Sequence, residues 1–267
     1  DRLDIDVLPA AALKLEIAYR MFLSAGYGRT VARPNIRELA PYRYYDFVRD
    51  RNISGNPDLA RTVIQNGDLR WEWFFGEGEI AAVSVFYKYF DQPIELQILN
   101  QMTYDSQYIN AEYAHNLGAE FELRFNFRHL HEALDVLSFN GNFSLVYSEV
   151  QLPQERSGAV ASNRPLVGQS PYVANLSLLF DEPDSGLQAS VVYNLTGPRI
   201  TDVGTRVGEQ ILPNIERAAY HSLDVIVGWR FADHFRLRLK NKTILLQSEE
   251  YYQRGFLWER REPGMSV

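Results

Sequence analysis

The 267-residue chain contains no cysteine, so disulfide cross-links, thiolate nucleophiles and cysteine-based metal sites are all excluded. Long apolar runs are missing as well. The longest are short pieces such as Ile80 to Val83, far from the roughly 18 to 20 residues that a membrane-spanning helix needs, and a helical membrane protein is ruled out. Positive charge is scarce, because 27 basic against 34 acidic side chains leave a formal charge of −7, which argues against nucleic acid as a partner. No G-x-S-x-G, Walker A or dinucleotide fingerprint occurs. The opening residues Asp1-Arg2-Leu3-Asp4-Ile5-Asp6 lack the basic and then apolar plan of a secretory leader, as expected of a mature chain, an excised segment or a cytoplasmic protein. What the chain does have is aromatic side chains, 16 Tyr, 15 Phe and 4 Trp, within an apolar content of 46% that suits an ordered protein.

The apolar residues recur with period two almost throughout, the signature of β-strands. From Ile64 to Phe75, Leu69, Trp71, Trp73 and Phe75 alternate with Asp68, Arg70 and Glu72. From Asn116 to Phe127 the separation is complete, with Leu117, Ala119, Phe121, Leu123, Phe125 and Phe127 set against Asn116, Gly118, Glu120, Glu122, Arg124 and Asn126. Ser138 to Tyr147 and Phe235 to Lys242 repeat the pattern. Weaker alternation marks Leu13 to Ile17, Met21 to Tyr27, Ile80 to Phe90, Tyr172 to Phe180, Leu187 to Leu195 and Leu223 to Phe231. Ten strands result, with Met265 to Val267 as a possible start of an eleventh. Links after odd-numbered strands are tight, whereas those after even-numbered strands are long, roughly 30–63, 91–110, 150–169, 197–219 and 247–264. All the tight turns therefore fall at one end of an up-and-down meander. Loops of that length are uncommon in a compact domain unless they have a function.

A soluble sandwich and a membrane barrel share this alternation, so pattern alone leaves both open. Three features favour lipid over a protein core as the cover for the apolar face. Many strands reach the roughly 9 to 11 residues that cross a bilayer at a tilt. Aromatic residues gather at the short-turn ends (Tyr19, Phe22, Phe74, Phe75, Phe125, Phe127, Phe180, Trp229, Phe231, Phe235) and again near the opposite ends (Tyr27, Tyr87, Tyr89, Tyr113, Tyr147, Tyr193), as in two interfacial girdles. The other face is densely charged, which suits a wide lumen. The expected fold is an all-β, transmembrane, antiparallel up-and-down β-barrel.

Several pieces in order resemble the barrel of TonB-dependent outer-membrane receptors. Asp6-Val7-Leu8-Pro9 precedes the first strand. Arg29-Thr30-Val31-Ala32-Arg33-Pro34-Asn35-Ile36-Arg37-Glu38-Leu39-Ala40-Pro41 is similar to the family's R-T-x-x-R-P-x-x-R-E-L-A-P segment. Gly55-Asn56-Pro57-Asp58-Leu59, Asn66-Gly67-Asp68-Leu69-Arg70-Trp71-Glu72-Trp73-Phe74 and Phe86-Tyr87-Lys88-Tyr89-Phe90-Asp91-Gln92-Pro93-Ile94-Glu95 follow, like the family's G-N-P-x-L, N-x-D-L-x-x-E-x-Y/F and F-Y-K-x-F-x-x-P-I-E. The resemblance covers nearly the whole chain. It implies a 22-stranded barrel of which residues 1–267 form the C-terminal portion, about ten or eleven strands, and a longer parent protein, since nothing here resembles the plug domain or the segment that engages TonB. It further implies the cell outer membrane of a Gram-negative bacterium, contact with its lipid and lipopolysaccharide, and energy-coupled import of a scarce nutrient such as a siderophore, cobalamin, glycan or peptide through the plug and TonB. No cofactor and no metal follow from it. A passive porin and a rim-site protease on an outer-membrane barrel are the competing functions.

The first long loop supplies the ligand candidates. Aromatic faces and guanidinium groups at Arg33, Arg37, Tyr42, Tyr44, Tyr45 and Arg49 can grip an anion or a sugar, and packing of the loop on its neighbours is the plainer reading. A structural role in folding the loop back towards the lumen is expected of Arg33 to Pro41. Asp68, Arg70, Glu72, Glu120, Glu122 and Arg124 are expected to face the plug, or to pair with one another across strands. For an enzyme, His221 with Asp224 and His115 with Asp105 are the pairs to examine, although residues three apart on a strand leave opposite faces. His129-x-His131 is too poor in partners for a metal site. Asn52, Asn142, Asn175, Asn194 and Asn241 fit the N-x-S/T acceptor pattern and read instead as polar lumen residues.

Overall fold

The computed structural model describes residues 5–47, 51–99, 102–152, 164–207, 210–231 and 234–262. In chain order these form β1 (Ala10–Ala18), β2 (Met21–Ala32), the short helix α1 (Ile36–Leu39), β3 (Arg43–Asp46), β4 (Arg51–Ser54), β5 (Thr62–Gly76), β6 (Glu79–Asp91), β7 (Ile94–Ile98), β8 (Ser106–Asn110) and β9 (Tyr113–Asn126). Two 3-10 turns, Phe127–His129 and Glu132–Leu134, lead to β10 (Leu137–Gln151), β11 (Tyr172–Glu182), β12 (Leu187–Thr196), β13 (Arg199–Asp202), β14 (Thr205–Val207), β15 (Gln210–Leu212) and β16 (Ile215–Arg217). The last four strands are β17 (Tyr220–Phe231), β18 (Phe235–Asn241), β19 (Glu249–Gln253) and β20 (Phe256–Arg261).

Ten of these strands form one sheet in the order β1-β2-β5-β6-β9-β10-β11-β12-β17-β18, with every neighbour antiparallel. They coincide with the ten segments of period-two alternation. The possible eleventh strand at Met265 to Val267 lies outside the described residues. Tight turns join them at one end, where left-handed backbone at Gly78 (φ 74°) and Gly186 (φ 68°) fits a residue without Cβ. The register, which shifts only near the turns at Glu16/Ala18 and Trp73/Gly76, fixes the faces. Leu69, Val85 and Ala119 share one row, and Val83, Phe121 and Phe143 another, all on the apolar face, whereas Glu72, Glu122, Asn142, Asn175 and Asn194 fall on the polar face. A slip of one residue would exchange the two faces throughout.

Among the described residues, the apolar face has no protein behind it. Leu117, Phe121 and Leu123 remain 55%, 44% and 41% exposed, and Leu13, Leu15, Val85, Leu145, Leu178, Leu237 and Leu239 are exposed as well. A two-layer globule would have buried these residues, so the soluble-sandwich alternative does not describe this chain. One detail of the girdles differs from expectation. Phe22 pairs with Glu72 and so lies on the polar face beneath the Lys14 ammonium, and Phe74, also expected in the girdle, meets it there edge-on at 5.9 Å. Trp73, Phe75, Phe125 and Phe127, together with Trp229, Phe231 and Phe235, form the aromatic clusters near the turns.

The long connections are more ordered than their irregular patterning suggests. They carry a four-stranded sheet β3-β4-β8-β7, in which β4 and β8 run parallel, a second sheet β13-β16-β19-β20, and the hairpin β14-β15. A parallel bridge between Gln97 and Val203 joins the first two. Most of the buried apolar residues are here or at the adjoining strand ends, including Ile53, Leu59, Ile98, Ile109, Ala111, Leu152, Ile200, Val203 and Ile215. Phe90, Ala114 and Val150 share one register row on the polar face, and they pack with Ile109, Ala111, Leu152 and Leu166. The loops therefore fold over the polar side of the sheet.

Candidate ligand-binding cap and charged wall

Alternation places Lys14, Arg70, Glu72, Ser84, Glu122 and Arg124 on one side of four strands, near enough to touch. Arg70 occupies the centre. Its guanidinium donates to Glu72 at 2.8 Å, to the Ser84 hydroxyl at 3.0 Å and to Glu122 at 2.8 Å. Lys14 reaches Glu72 at 2.8 Å, and Arg124 reaches Glu122 at 3.0 Å. Of the six residues expected on this wall, four belong to the network. Glu120 stands in register with Ser84 and Ser144 and has no ion pair among the described residues. Asp68 lies over Gly26, where a Cβ would stand 2.7 Å from its carboxylate oxygen.

Across β10, β11, β12 and β17 the same polar face carries mostly small neutral side chains, with Asp181, Asp224 and Arg230 as its charges. Asn142, Asn175, Asn194 and Ser222 share one row; Asn175 donates to the Asn142 side chain at 2.8 Å and Asn194 to the Ser222 hydroxyl at 3.2 Å. Three of the N-x-S/T matches are thus a consequence of small polar residues alternating along strands whose other face is apolar.

In the first loop, Asn35 and Glu38 form a capping box around α1: each side chain accepts from the other's backbone N–H, at 3.0 Å in both cases. Gly55 passes so close to the end of this helix that a Cβ there would stand 2.1 Å from the Ala40 carbonyl oxygen. Asn56 then donates from its backbone to the Glu38 carbonyl at 2.6 Å and from its side chain to the Tyr108 carbonyl at 3.1 Å. These contacts explain the R-P-x-x-R-E-L-A-P and G-N-P-x-L segments as one folding unit. Arg33 lies apart from the other candidates and binds Asp6 at 2.5 Å, and Arg61 binds the same carboxylate at 3.0 Å, so Asp6 holds both ends of the loop. Sequence reasoning assigned no role to Asp6.

Arg37, Tyr42 and Tyr44 do come together. The guanidinium lies 5.4 Å from the Tyr44 ring, the two rings are 6.2 Å apart, and the Tyr44 and Tyr108 hydroxyls are 3.4 Å apart. Tyr45 leaves the opposite face of β3 and meets Phe47 edge-on at 5.0 Å. Arg49 lies outside the described residues.

Buried ion pairs stitch the loops together. Arg51 of β4 meets Asp202 of β13 at 2.8 Å, with side chains 5% and 8% exposed. Arg164 grips Glu95 of β7 with both terminal nitrogens, at 2.5 and 3.2 Å, the two side chains being 4% and 3% exposed. Val167 donates its backbone N–H to the same carboxylate at 3.2 Å. Arg217 of β16 meets Glu249 of β19 at 3.2 Å. Tyr104 donates to Gln253 at 3.2 Å and its ring lies tilted against that of Trp258, with ring centroids 4.9 Å apart. None of these pairings was foreseen, because the partners are far apart in sequence. At the outer end of the cap, hydrogen bonding from Tyr252 and the ion pair with Arg260 hold the Glu250 carboxyl below its ordinary range.

The histidine pairs dissolve on inspection. His221 faces the Tyr193 hydroxyl, while Asp224 accepts from the Thr243 backbone at 2.8 Å. His115 binds the Tyr87 hydroxyl at 2.5 Å, and Asp105 is held by Arg43 and Asn52. His129 contacts the buried Glu79 at 2.9 Å, and His131 caps the following 3-10 turn.

The family model described as TonB dependent receptor-like, beta-barrel matches residues 6–241. The chain belongs to this family. Its members are receptors and transporters rather than enzymes, which sets the rim-protease alternative aside. Among solved structures it is similar to the ferric enterobactin receptor of Pseudomonas aeruginosa in complex with enterobactin (18% identity, TM-score 0.65, 90% of this chain, 35% of that one). The FrpB iron transporter of Neisseria meningitidis (14%, TM-score 0.63, 96% and 37%) and the siderophore receptor PirA of Acinetobacter baumannii (15%, TM-score 0.60, 90% and 37%) share the fold. The chain spans a little over a third of the length of these receptors. Comparison with curated proteins found no match. In the TonB-dependent barrel the polar face is the lumen wall, and the loop body folds over that side.

Proposed function

We propose that residues 1–267 are the C-terminal portion of the barrel of a longer outer-membrane receptor that imports a scarce nutrient with energy supplied through TonB. The supporting observation is the division of labour within one chain. An uncovered apolar face suits hydrocarbon, a polar face suits a lumen, and a stitched cap rises over the lumenal side with Arg37, Tyr42 and Tyr44 gathered in its first loop. Lipid and lipopolysaccharide are the partners of the apolar face. The Arg70-centred network supplies the surface against which the plug of the parent receptor rests, fixed in charge and position by its own ion pairs. An iron-carrying chelate is the first nutrient to test, because the receptors of similar fold include those for ferric enterobactin and for siderophores.

The test is accumulation of labelled ferric chelate by cells that carry the parent receptor as their sole receptor of this class. Uptake that stops when the inner-membrane proton gradient is collapsed, and that is lost when 33–58 are deleted from an otherwise assembled barrel, supports the reading. Uptake indifferent to the gradient identifies a passive pore instead.

A further inference from the structure

The apolar face of the sheet is not smooth. Ala81 of β6, Leu123 of β9 and Gly141 of β10 share one register row, and the two small residues leave the wall low on either side of the leucine. Larger side chains rise around them. Trp71, Val83, Phe121 and Phe143 form the next row towards the long loops, and Phe125 and Phe139 stand opposite each other in the next row towards the short turns. Between these rows lies a groove of about 340 Å³ with an apolar surface. Its margin is tight, because a Cβ on Gly141 would stand 2.7 Å from the Phe139 ring and 3.2 Å from Leu176, so both side chains lean over the glycine. Short turns of bacterial outer-membrane barrels are periplasmic, and the Phe125 row belongs to the girdle on that side, so the groove opens at acyl-chain depth in the periplasmic leaflet.

Below the groove, the turn after β9 carries a second, independent feature. The Glu79 carboxylate, 3% exposed, accepts from the Asn126 backbone at 2.8 Å and from His129 at 2.9 Å, on a spot that only a glycine at position 76 leaves open. His129 in turn stacks on Phe125 at 5.5 Å. Arg128 is left with an ion pair to Glu79 at 3.6 Å, beyond hydrogen-bond length, and its side chain is 43% exposed. Its guanidinium has no hydrogen bond among the described residues, so its donors remain available at the level of the headgroups.

We propose that this part of the outer wall is a binding site for one phospholipid of the periplasmic leaflet, with an acyl chain laid in the Ala81–Gly141 groove and the phosphate on Arg128. Hydrophobicity does not select the site, since hydrocarbon surrounds it; packing does. A chain in the groove touches rings on both sides as well as the floor, where a chain on a flat wall touches one surface, and the phosphate adds a charge-assisted hydrogen bond. The assignment rests on the receptor reading, which puts this face in lipid, and it goes further by naming the leaflet, the lipid class and the residues.

The experiment reconstitutes the full-length receptor in lipid discs with a trace of phosphatidylglycerol that carries a diazirine on one acyl chain, or of diacylglycerol with the same chain, and maps the photo-cross-links by peptide mass spectrometry. Val191 and Val225, paired in one row on the apolar face of β12 and β17, are the internal reference for lipid that merely passes by. Phosphatidylglycerol is expected to label 81–83, 121–123 and 139–143 several times more than the reference. Arg128→Gln is expected to lower that labelling about fivefold while leaving the diacylglycerol labelling unchanged. Ala81→Leu and Gly141→Leu, which fill the groove with apolar volume that a lipid-facing position accepts, are expected to bring both probes down to the reference; the heat-dependent gel shift of the barrel shows whether each has folded. Even labelling of the whole face by the wild type, an excess that survives in a folded groove-filled variant, or an excess indifferent to Arg128→Gln overturns the proposal. Energised uptake is measured in parallel on the same proteins. Uptake together with even labelling defeats the lipid site and leaves the receptor standing, whereas a wild type whose apolar face no chain labels defeats the barrel reading itself.

Discussion

The wall and the cap of this molecule are held together by opposite means. In the wall, apolar side chains point away from the protein, and order comes from a long antiparallel ladder with an open ion-pair network on its inner side. In the cap, apolar side chains point inward, and charged side chains are buried in pairs. The solvent explains the contrast. A surface facing hydrocarbon needs every backbone group paired within the sheet and no apolar core behind it, whereas loops facing water must make a core of their own. Charge is therefore cheap on the lumen wall and decisive in the cap.

The sharpest way to break the comparison is to unpair a buried charge. Arg164→Ala leaves Glu95 uncompensated at 3% exposure and is expected to destabilise the cap by about 3–5 kcal/mol, with new protease cleavage in the loops while the heat-dependent gel shift of the barrel persists. Simultaneous loss of the barrel shift would show that the two regions do not melt separately. On the wall the damaging change is the reverse one, adding a charge to the apolar face. Leu123→Arg, set between the Phe125 girdle and the middle of the strand, is expected to cost about 2 kcal/mol in a denaturant titration in lipid. The lumenal Glu122→Gln, by contrast, removes partners of Arg70 and Arg124 that remain partly solvated and is expected to cost at most about 1 kcal/mol. A lumenal cost equal to that of Leu123→Arg would abolish the distinction between the faces.

The mildest effect concerns acid. The Glu250 carboxyl is held below its ordinary range by Tyr252 and Arg260, so the β19–β20 hairpin is stabilised above the unfolded-state pKa. That contribution is lost as the pH falls through the depressed value. Hydrogen exchange of the hairpin amides is expected to quicken in that acidic range, and Glu250→Gln is expected to flatten the response.

The wall was legible in the sequence because its information is local: a period of two, repeated for ten or more residues, states both the strand and its faces. Leu117 to Phe127 needs no knowledge of its neighbours to be read correctly. Phe22 shows the limit of that reading, since an aromatic residue near a turn was assigned to the girdle when its register with Glu72 puts it in the lumen. The cap was legible only where a motif marked it, as at Asn35 to Glu38 and Gly55-Asn56. Its strands of three to five residues fall below the length at which alternation is distinctive. The segment Ile94-Glu95-Leu96-Gln97-Ile98 does alternate, and a strand there was open to prediction, but nothing local says that Glu95 meets Arg164. Tyr44 and Tyr45 teach the same lesson in small compass: adjacent rings in the sequence serve opposite faces of β3, so only one joins Arg37.

The span of those stitches also orders events in time. Each wall strand meets a neighbour across a turn or a single loop, whereas Tyr104 must find Gln253 across 149 positions. Closing so large a loop before any other contact exists is entropically slow, and short hairpins close first. Assembly of the lid is thus expected to follow the pairing of the wall strands, and its resistance to protease should rise only after the staves beneath it have been laid side by side.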